Sequence, residues 1–207
     1  YVLACYDSEI RYLDGYIEEL FEELQLDDET MIILTADHGE EFLDHGGVGH
    51  NPKLFQEVIH VTLVIKFPQQ FGSQFQNRRF VPTVRQVDVL PTILDVAGVE
   101  LAPERHSQLA GLSILEALSD SGDALEDWLL EPAVTEVDYE GVYRKSLIQG
   151  QYKYIRSWAP DQSEQLVDGA AGVDVVFQAC SHVLLRAVEP GDRAFEFHRD
   201  RKASRVV

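Results

Sequence analysis

The sequence predicts an α/β layered domain, with a largely parallel sheet flanked by helices and a small antiparallel sheet region towards the C-terminus. Three observations carry this. Ile10, Leu13, Ile17, Leu20, Phe21 and Leu24 recur at three- and four-residue steps, the period of a helix with one apolar face. Residues 31–36 and 61–67 are short continuous apolar runs, as expected of strands covered on both faces in a parallel sheet. Strand-like and helix-like segments alternate through the first 120 residues, which is the pattern of a layered α/β domain.

Taken in order, the helix over 7–26 turns its acidic residues outwards and ends at Asp27-Asp28-Glu29. Residues 31–36 form the first buried strand, residues 52–58 a helical turn, and 61–67 the next strand, closed by Pro68. Residues 69–80 are rich in Gln, Asn and Arg and predict a surface loop. A helix over 87–97 has Asp88 near its start and Gly98 as its stop, and 111–119 predicts another. Residues 135–137, 143–149 and 152–157 are strands, the last two joined by Gly150-Gln151 as in a hairpin. The chain divides into an α/β region over 1–125, a small sheet region over 126–168, and an irregular tail over 169–207. In that tail, residues 181–207 carry six basic against four acidic groups.

Composition narrows the function classes. The formal net charge is −19, and residues 1–60 hold fifteen Asp/Glu against Arg11 and Lys53. A surface of that sign does not bind a phosphate backbone, so no nucleic-acid partner is expected. No apolar run is long enough to span a bilayer. Arg (12) outnumbers Lys (5), and an acidic surplus with few lysines also suits a salt-adapted protein. Such a chain should unfold more readily at low salt than in molar salt, whereas a plain solvated acidic face should not. Cys5 and Cys180 lie far apart, outside any CxxC spacing, and are expected to be two reduced thiols. The first residue is Tyr1, which leads to the expectation of a fragment or processed chain and leaves compartment and oligomeric state open.

The chemistry concentrates where the first strand ends. Asp37-His38-Gly39 follows that strand directly, and open α/β sheets bind ligands beyond the carboxyl ends of their strands. A carboxylate and an imidazole side by side can ligate Ca²⁺, Mn²⁺ or Zn²⁺, provided at least two more ligands come from elsewhere. Four of the seven histidines (His38, His45, His50 and His60) lie in or just after this stretch. His45 and His50 sit in a segment with Gly46, Gly47 and Gly49, where the backbone can approach a ligand closely. A protonated imidazole there could neutralise a sulfate or phosphate ester or protonate its leaving group.

These residues carry a resemblance. TADHGEEFLDHGGVGH, followed by LFQEVIHVTLVIKFP and VDVLPTILDVAGV, resembles the C-terminal half of the sulfatase family, in the alkaline-phosphatase-like superfamily of metal-dependent hydrolases. The upstream YDSEIRYLDGYIEELFEEL is similar to the family's helix before the metal strand, and YRKSLIQGQYKYI resembles its small C-terminal sheet region. The match covers about residues 1–158. It implies an alkaline-phosphatase-like fold, Asp37 and His38 as metal ligands, and His45 and His50 at the sulfuryl group. His50 falls near a position the family often fills with lysine, and Lys53 is a substitute for it. Calcium is the family default, while the imidazole keeps Mn²⁺ and Zn²⁺ open. The substrate implied is a small-molecule or sugar sulfate ester.

Several departures qualify this. Thr62 stands where the family usually has proline, and QLVDGAAG replaces an expected Leu-Tyr-Asp-Leu. The family's Cys/Ser-x-Pro-x-Arg sequence, whose Cys or Ser becomes the formylglycine nucleophile, does not occur in these residues; nor does the expected N-terminal Asp pair. The nucleophile is therefore expected in a missing N-terminal half, with this chain inactive alone. Two other readings share the motifs: a phosphodiesterase or phosphonate monoester hydrolase of the same superfamily, and a non-catalytic truncated binding module.

Overall fold

A computed structural model describes residues 1–72, 75, 77–119, 123–158, 164–168 and 175–177. Helix α1 (Val2–Leu24) begins earlier than its apolar period requires and ends on Gln25 in a left-handed conformation, φ 47°. Its apolar face is only partly covered: Leu13, Leu20 and Leu24 are exposed, Ile17 and Phe21 are half-buried, and α1 contains no buried residue. Strand β1 (Ile32–Thr35) follows, then the two-residue strands β2 (Glu41–Phe42) and β3 (Val48–Gly49), which form a hairpin. A single turn, α2 (Gln56–Ile59), leads into β4 (Leu63–Lys66), all four residues of which are buried.

The pairing of β1 with β4 is antiparallel, Ile32 opposite Lys66 and Thr35 opposite Leu63. This departs from the expected largely parallel sheet. β4 is parallel to β10 (Val175–Phe177), which in turn runs antiparallel to β5 (Arg78–Phe80), giving the order β1-β4-β10-β5. A continuous apolar run reports burial on both faces and is silent about strand direction. Here residues 36–62 reverse the chain without a long crossover helix, and an antiparallel neighbour is the result. The class itself, a sheet layered with helices, is as expected.

The core lies between this sheet and the helices that follow. Leu63, Ile65, Phe67, Phe75, Phe80, Val84, Ile114, Leu115 and Trp128 pack together. Ile65 is fully enclosed, so Ile65→Val should cost about 1 kcal/mol in urea unfolding through the methyl-sized gap it leaves. Phe75, Phe80 and the strand at 78–80 correct the expectation of a surface loop over 69–80. Polar composition masked two aromatic anchors, and the Phe75 ring meets Phe67 at 5.5 Å.

Arg85 and Asp88 organise the helices. Asp88 is fully buried and accepts from the Arg85 backbone N–H (2.7 Å), the Arg85 guanidinium (2.7 Å) and the Leu112 N–H (3.0 Å). It stands at the start of α3 (Val89–Val96), where a carboxylate also suits the helix dipole. Thr92 donates to the Asp88 carbonyl and accepts from Ile114 N–H, tying α3 to α5 (Ile114–Ser119). Gly98, with φ 65°, stops α3, and Val99 N–H reaches back to the Leu94 carbonyl. Between them lies α4 (Pro103–His106).

Helix α6 (Asp123–Leu130) crosses residue 125, where the sequence divides the chain, and its Trp128 packs edge-on against Phe80. The C-terminal sheet runs β6 (Ala133–Tyr139), β7 (Val142–Gln149), β8 (Tyr152–Ser157) and β9 (Glu164–Asp168), each antiparallel to the next. β10 draws part of the expected irregular tail into the central sheet. Residues 178–207, with Cys180, lie outside the described residues, while Cys5 is an exposed free thiol.

Candidate active site

Asp37 and His38 lie just beyond the carboxyl end of β1 and line a cavity of about 720 Å³. Its other walls include residues 50–54, 56, 58–61, 83–87, 89 and 131–137. Gly39 is required at the turn for close approach. A Cβ there would sit 2.2 Å from the Glu57 carbonyl oxygen, and the Gly39 N–H donates to the Val58 carbonyl at 2.7 Å. The strand end is thereby pinned to the 55–58 turn.

The ligand atoms of Asp37 and His38 face each other. His38 Nδ1 is 2.9 Å from the Gly39 carbonyl, which can only accept, so the neutral ring carries its proton on Nδ1 and a lone pair on Nε2. Nε2 lies 3.8 Å from Asp37 Oδ2, too long for a hydrogen bond between them and suitable for two ligands of one cation. Asp37 Oδ1 accepts the His38 backbone N–H at 3.0 Å, and the carboxylate is otherwise open, with 90% of the side chain exposed. A carbonyl behind the imidazole and a backbone N–H on the carboxylate are the outer contacts that orient metal ligands. The donor set thus fits two of the ligands a hard or borderline divalent cation would need.

His50 joins them. Its ring stacks on His38 with centroids 4.2 Å apart, and its Nδ1 donates to Glu40 Oε2 at 3.3 Å. The other Glu40 oxygen is buried without a hydrogen bond, an open acceptor beside the two rings.

His45 goes elsewhere. It is not among the residues lining the cavity. Its ring lies flat on Phe55, 3.7 Å between centroids, and Nδ1 meets Glu57 Oε1 at 2.6 Å. Glu41, His45 and Glu57 bring ligand-type atoms within 4.8 Å of one another. The composition is that of a metal site, but Glu41 is already filled. It accepts from His45 N–H (3.0 Å), Gly47 N–H (2.8 Å) and the Lys53 ammonium (2.7 Å). A cation there would have to displace Lys53.

Two residues that the sequence did not single out fix the loop from the C-terminal sheet. Arg144 donates to the Pro52 carbonyl, and Lys153, 1% exposed, donates to Gln56 Oε1 at 2.9 Å. Burial pushes the Lys153 ammonium down to about 8, against a smaller upward pull from Glu57. Gln86 holds the Ala36 carbonyl from the opposite wall at 2.9 Å. No sequence period announces these contacts, because each joins segments far apart in the chain.

Residues 1–99 match the family model described as Sulfatase. Mouse arylsulfatase K is 33% identical over 107 residues, 52% of this chain and 18% of that protein. N-acetylglucosamine-6-O-sulfatase of Bacteroides thetaiotaomicron is 30% identical over 127 residues, 61% of this chain and 20% of that protein. The chain therefore spans about a fifth of the length of these curated relatives. Among solved structures, BT4656 in complex with its substrate D-glucosamine-2-N,6-O-disulfate superposes with a TM-score of 0.56 at 22% identity, over 74% of this chain and 30% of that one. That likeness is one of fold.

Proposed function

We propose that the chain, whose residues 1–99 match the sulfatase family model, supplies the C-terminal half of the active site of a metal-dependent sulfuric ester hydrolase. The observation that carries this is the facing pair of lone-pair atoms, Asp37 Oδ2 and His38 Nε2, 3.8 Å apart on the cavity wall. Asp37 and His38 would hold a divalent cation, Ca²⁺ by family habit and Mn²⁺ or Zn²⁺ by the chemistry of an imidazole ligand. Bound there, the ion would polarise the sulfate ester.

The chain's own residues then have distinct tasks. The Gly39 carbonyl keeps His38 in the tautomer that leaves Nε2 free. His50, stacked on His38 and donating through Nδ1 to Glu40, would in its protonated form offer Nε2–H to an anionic sulfuryl oxygen or the leaving group. His45, held by Glu57 and Phe55, leaves that role to His50. The Cys/Ser-x-Pro-x-Arg nucleophile and the remaining metal ligands come, on this reading, from residues these 207 do not include. The substrate is a sulfate ester of a small molecule or sugar.

Calorimetric titration with Ca²⁺, Mn²⁺ and Zn²⁺ tests the half-site. The chain should bind at least one of them, and Asp37→Ala/His38→Ala should weaken that binding by about tenfold or more. Equal affinity in both chains, or none in either, would remove the metal-binding reading.

A further inference from the structure

Lys53 is one of only two basic residues in the first sixty and stands on the cavity wall, where a cation for an anionic substrate would be sought. Its ammonium, however, is fully spent. It has three N–H donors and three acceptors around it: Glu41 Oε2 at 2.7 Å, Glu41 Oε1 at 3.0 Å and the His45 carbonyl at 3.3 Å.

The carboxylate opposite is just as fully engaged. Glu41 is completely buried, and its Oε1 also takes the N–H groups of His45 and Gly47. Burial would push the Glu41 carboxyl up, but Lys53 and the two N–H groups outweigh it, and the group titrates below its ordinary range. Gly47 is needed for the fit, since a Cβ there would lie 2.6 Å from Lys53 Nζ and 2.7 Å from Glu41 Oε2. The pair thus closes the turn between β2 and β3 and the segment up to residue 53. Within that closed segment lies His50, presented to His38.

We propose that the buried Glu41–Lys53 pair is a positioning device that holds the 44–53 loop so that His50 stacks on His38, and that Lys53 binds no substrate anion itself. The proposal rests on the reading of His50 given above and leaves the anion-facing position on this loop to His50 and not to Lys53. It also explains why a carboxylate is tolerated without water contact in β2: its charge is balanced by the loop it fastens.

NMR of the full chain, labelled in lysine and histidine, tests it. The Lys53 ammonium protons should exchange with water about tenfold or more slowly than those of the half-exposed Lys145. Inorganic sulfate should shift His50 ring signals and leave Lys53 unmoved. In Glu41→Gln, the Lys53 protection should vanish and the His50 ring signals should lose the ring-current shift set by His38. Fast exchange at Lys53 in the unmodified chain, or a sulfate-induced shift there, would overturn the proposal even if Glu41→Gln fails to fold. A freed Lys53 with His50 unmoved overturns the positioning role. If sulfate shifts neither residue while Lys53 stays protected and Glu41→Gln still moves His50, the positioning device stands and the anion role of His50 fails.

Discussion

Lys53→Met should lower the unfolding free energy by about 3 kcal/mol in urea titrations at neutral pH, the lower end of what breaking a buried ion pair costs. The lower end applies because the Lys53 side chain keeps 25% of its exposure while that of Glu41 has none. The loss comes from the stranded carboxylate more than from the missing attraction. Glu41 sits in a place water does not reach, and without Lys53 only two backbone N–H groups remain to hold its charge. Adding Glu41→Gln should therefore recover at least half of the loss. Both backbone N–H groups use Oε1, which glutamine retains, so the second change removes the uncompensated charge and little else.

The pH dependence has a definite sign. A carboxyl whose folded pKa is depressed contributes stability above its unfolded pKa and loses it as pH falls through the folded value. The Glu41 carboxyl is held low partly by Lys53, so the unmodified chain gains from the pair at neutral pH. In Lys53→Met the carboxyl can take up a proton earlier, and the gap between the two chains should narrow as pH is lowered through the carboxylate range. A loss under about 1 kcal/mol, or no recovery in the double variant, would mean that the loop is held by other contacts.

How far the sequence could be read follows from which contacts are local. Helix α3 and its stop at Gly98 were legible because apolar period, Asp88 and glycine all lie within one short window. The β7–β8 hairpin was legible for the same reason, through Gly150-Gln151. Asp37 and His38 were visible as a motif at a strand end, and the structure does bring them together with His50. Strand direction was not legible, since β1 and β4 read alike whichever way they pair. Nor was the divergence of His45 from His50. Both sit in the same glycine-rich segment, but Glu57 and Phe55, twelve and ten residues beyond His45, take its ring for themselves. Glu41 could have been noticed as one of two adjacent glutamates; its burial depends on Lys53 and on the folded turn, which no window of sequence contains.

Lys153→Met should raise the stability of the chain at pH 7, and the gain should disappear by about pH 10. In β8, Lys153, Ile155 and Ser157 face inwards while Tyr152, Tyr154 and Arg156 face out. The inward lysine is held against the 52–57 segment through Gln56. Its enclosure disfavours the charged form, which places its pKa at about 8 instead of 10.5. For a cation with a lowered folded pKa the unfolded chain binds the extra proton between those values, so stability rises with pH across that window and is lowest below it. At 1.36 kcal/mol per unit, the difference between neutral and alkaline pH amounts to about 3 kcal/mol. Part of this should be offset at pH 7 by the lost Lys153–Gln56 hydrogen bond, which costs about 1 kcal/mol. The measurement is the difference in unfolding free energy between the two chains at several pH values, which cancels the tyrosines and other groups common to both. A difference that stays flat from pH 7 to 10 would show that Lys153 is better solvated than its burial implies. A slope as expected would make this lysine a point where the C-terminal sheet gives up stability to grip the segment beside Asp37 and His38.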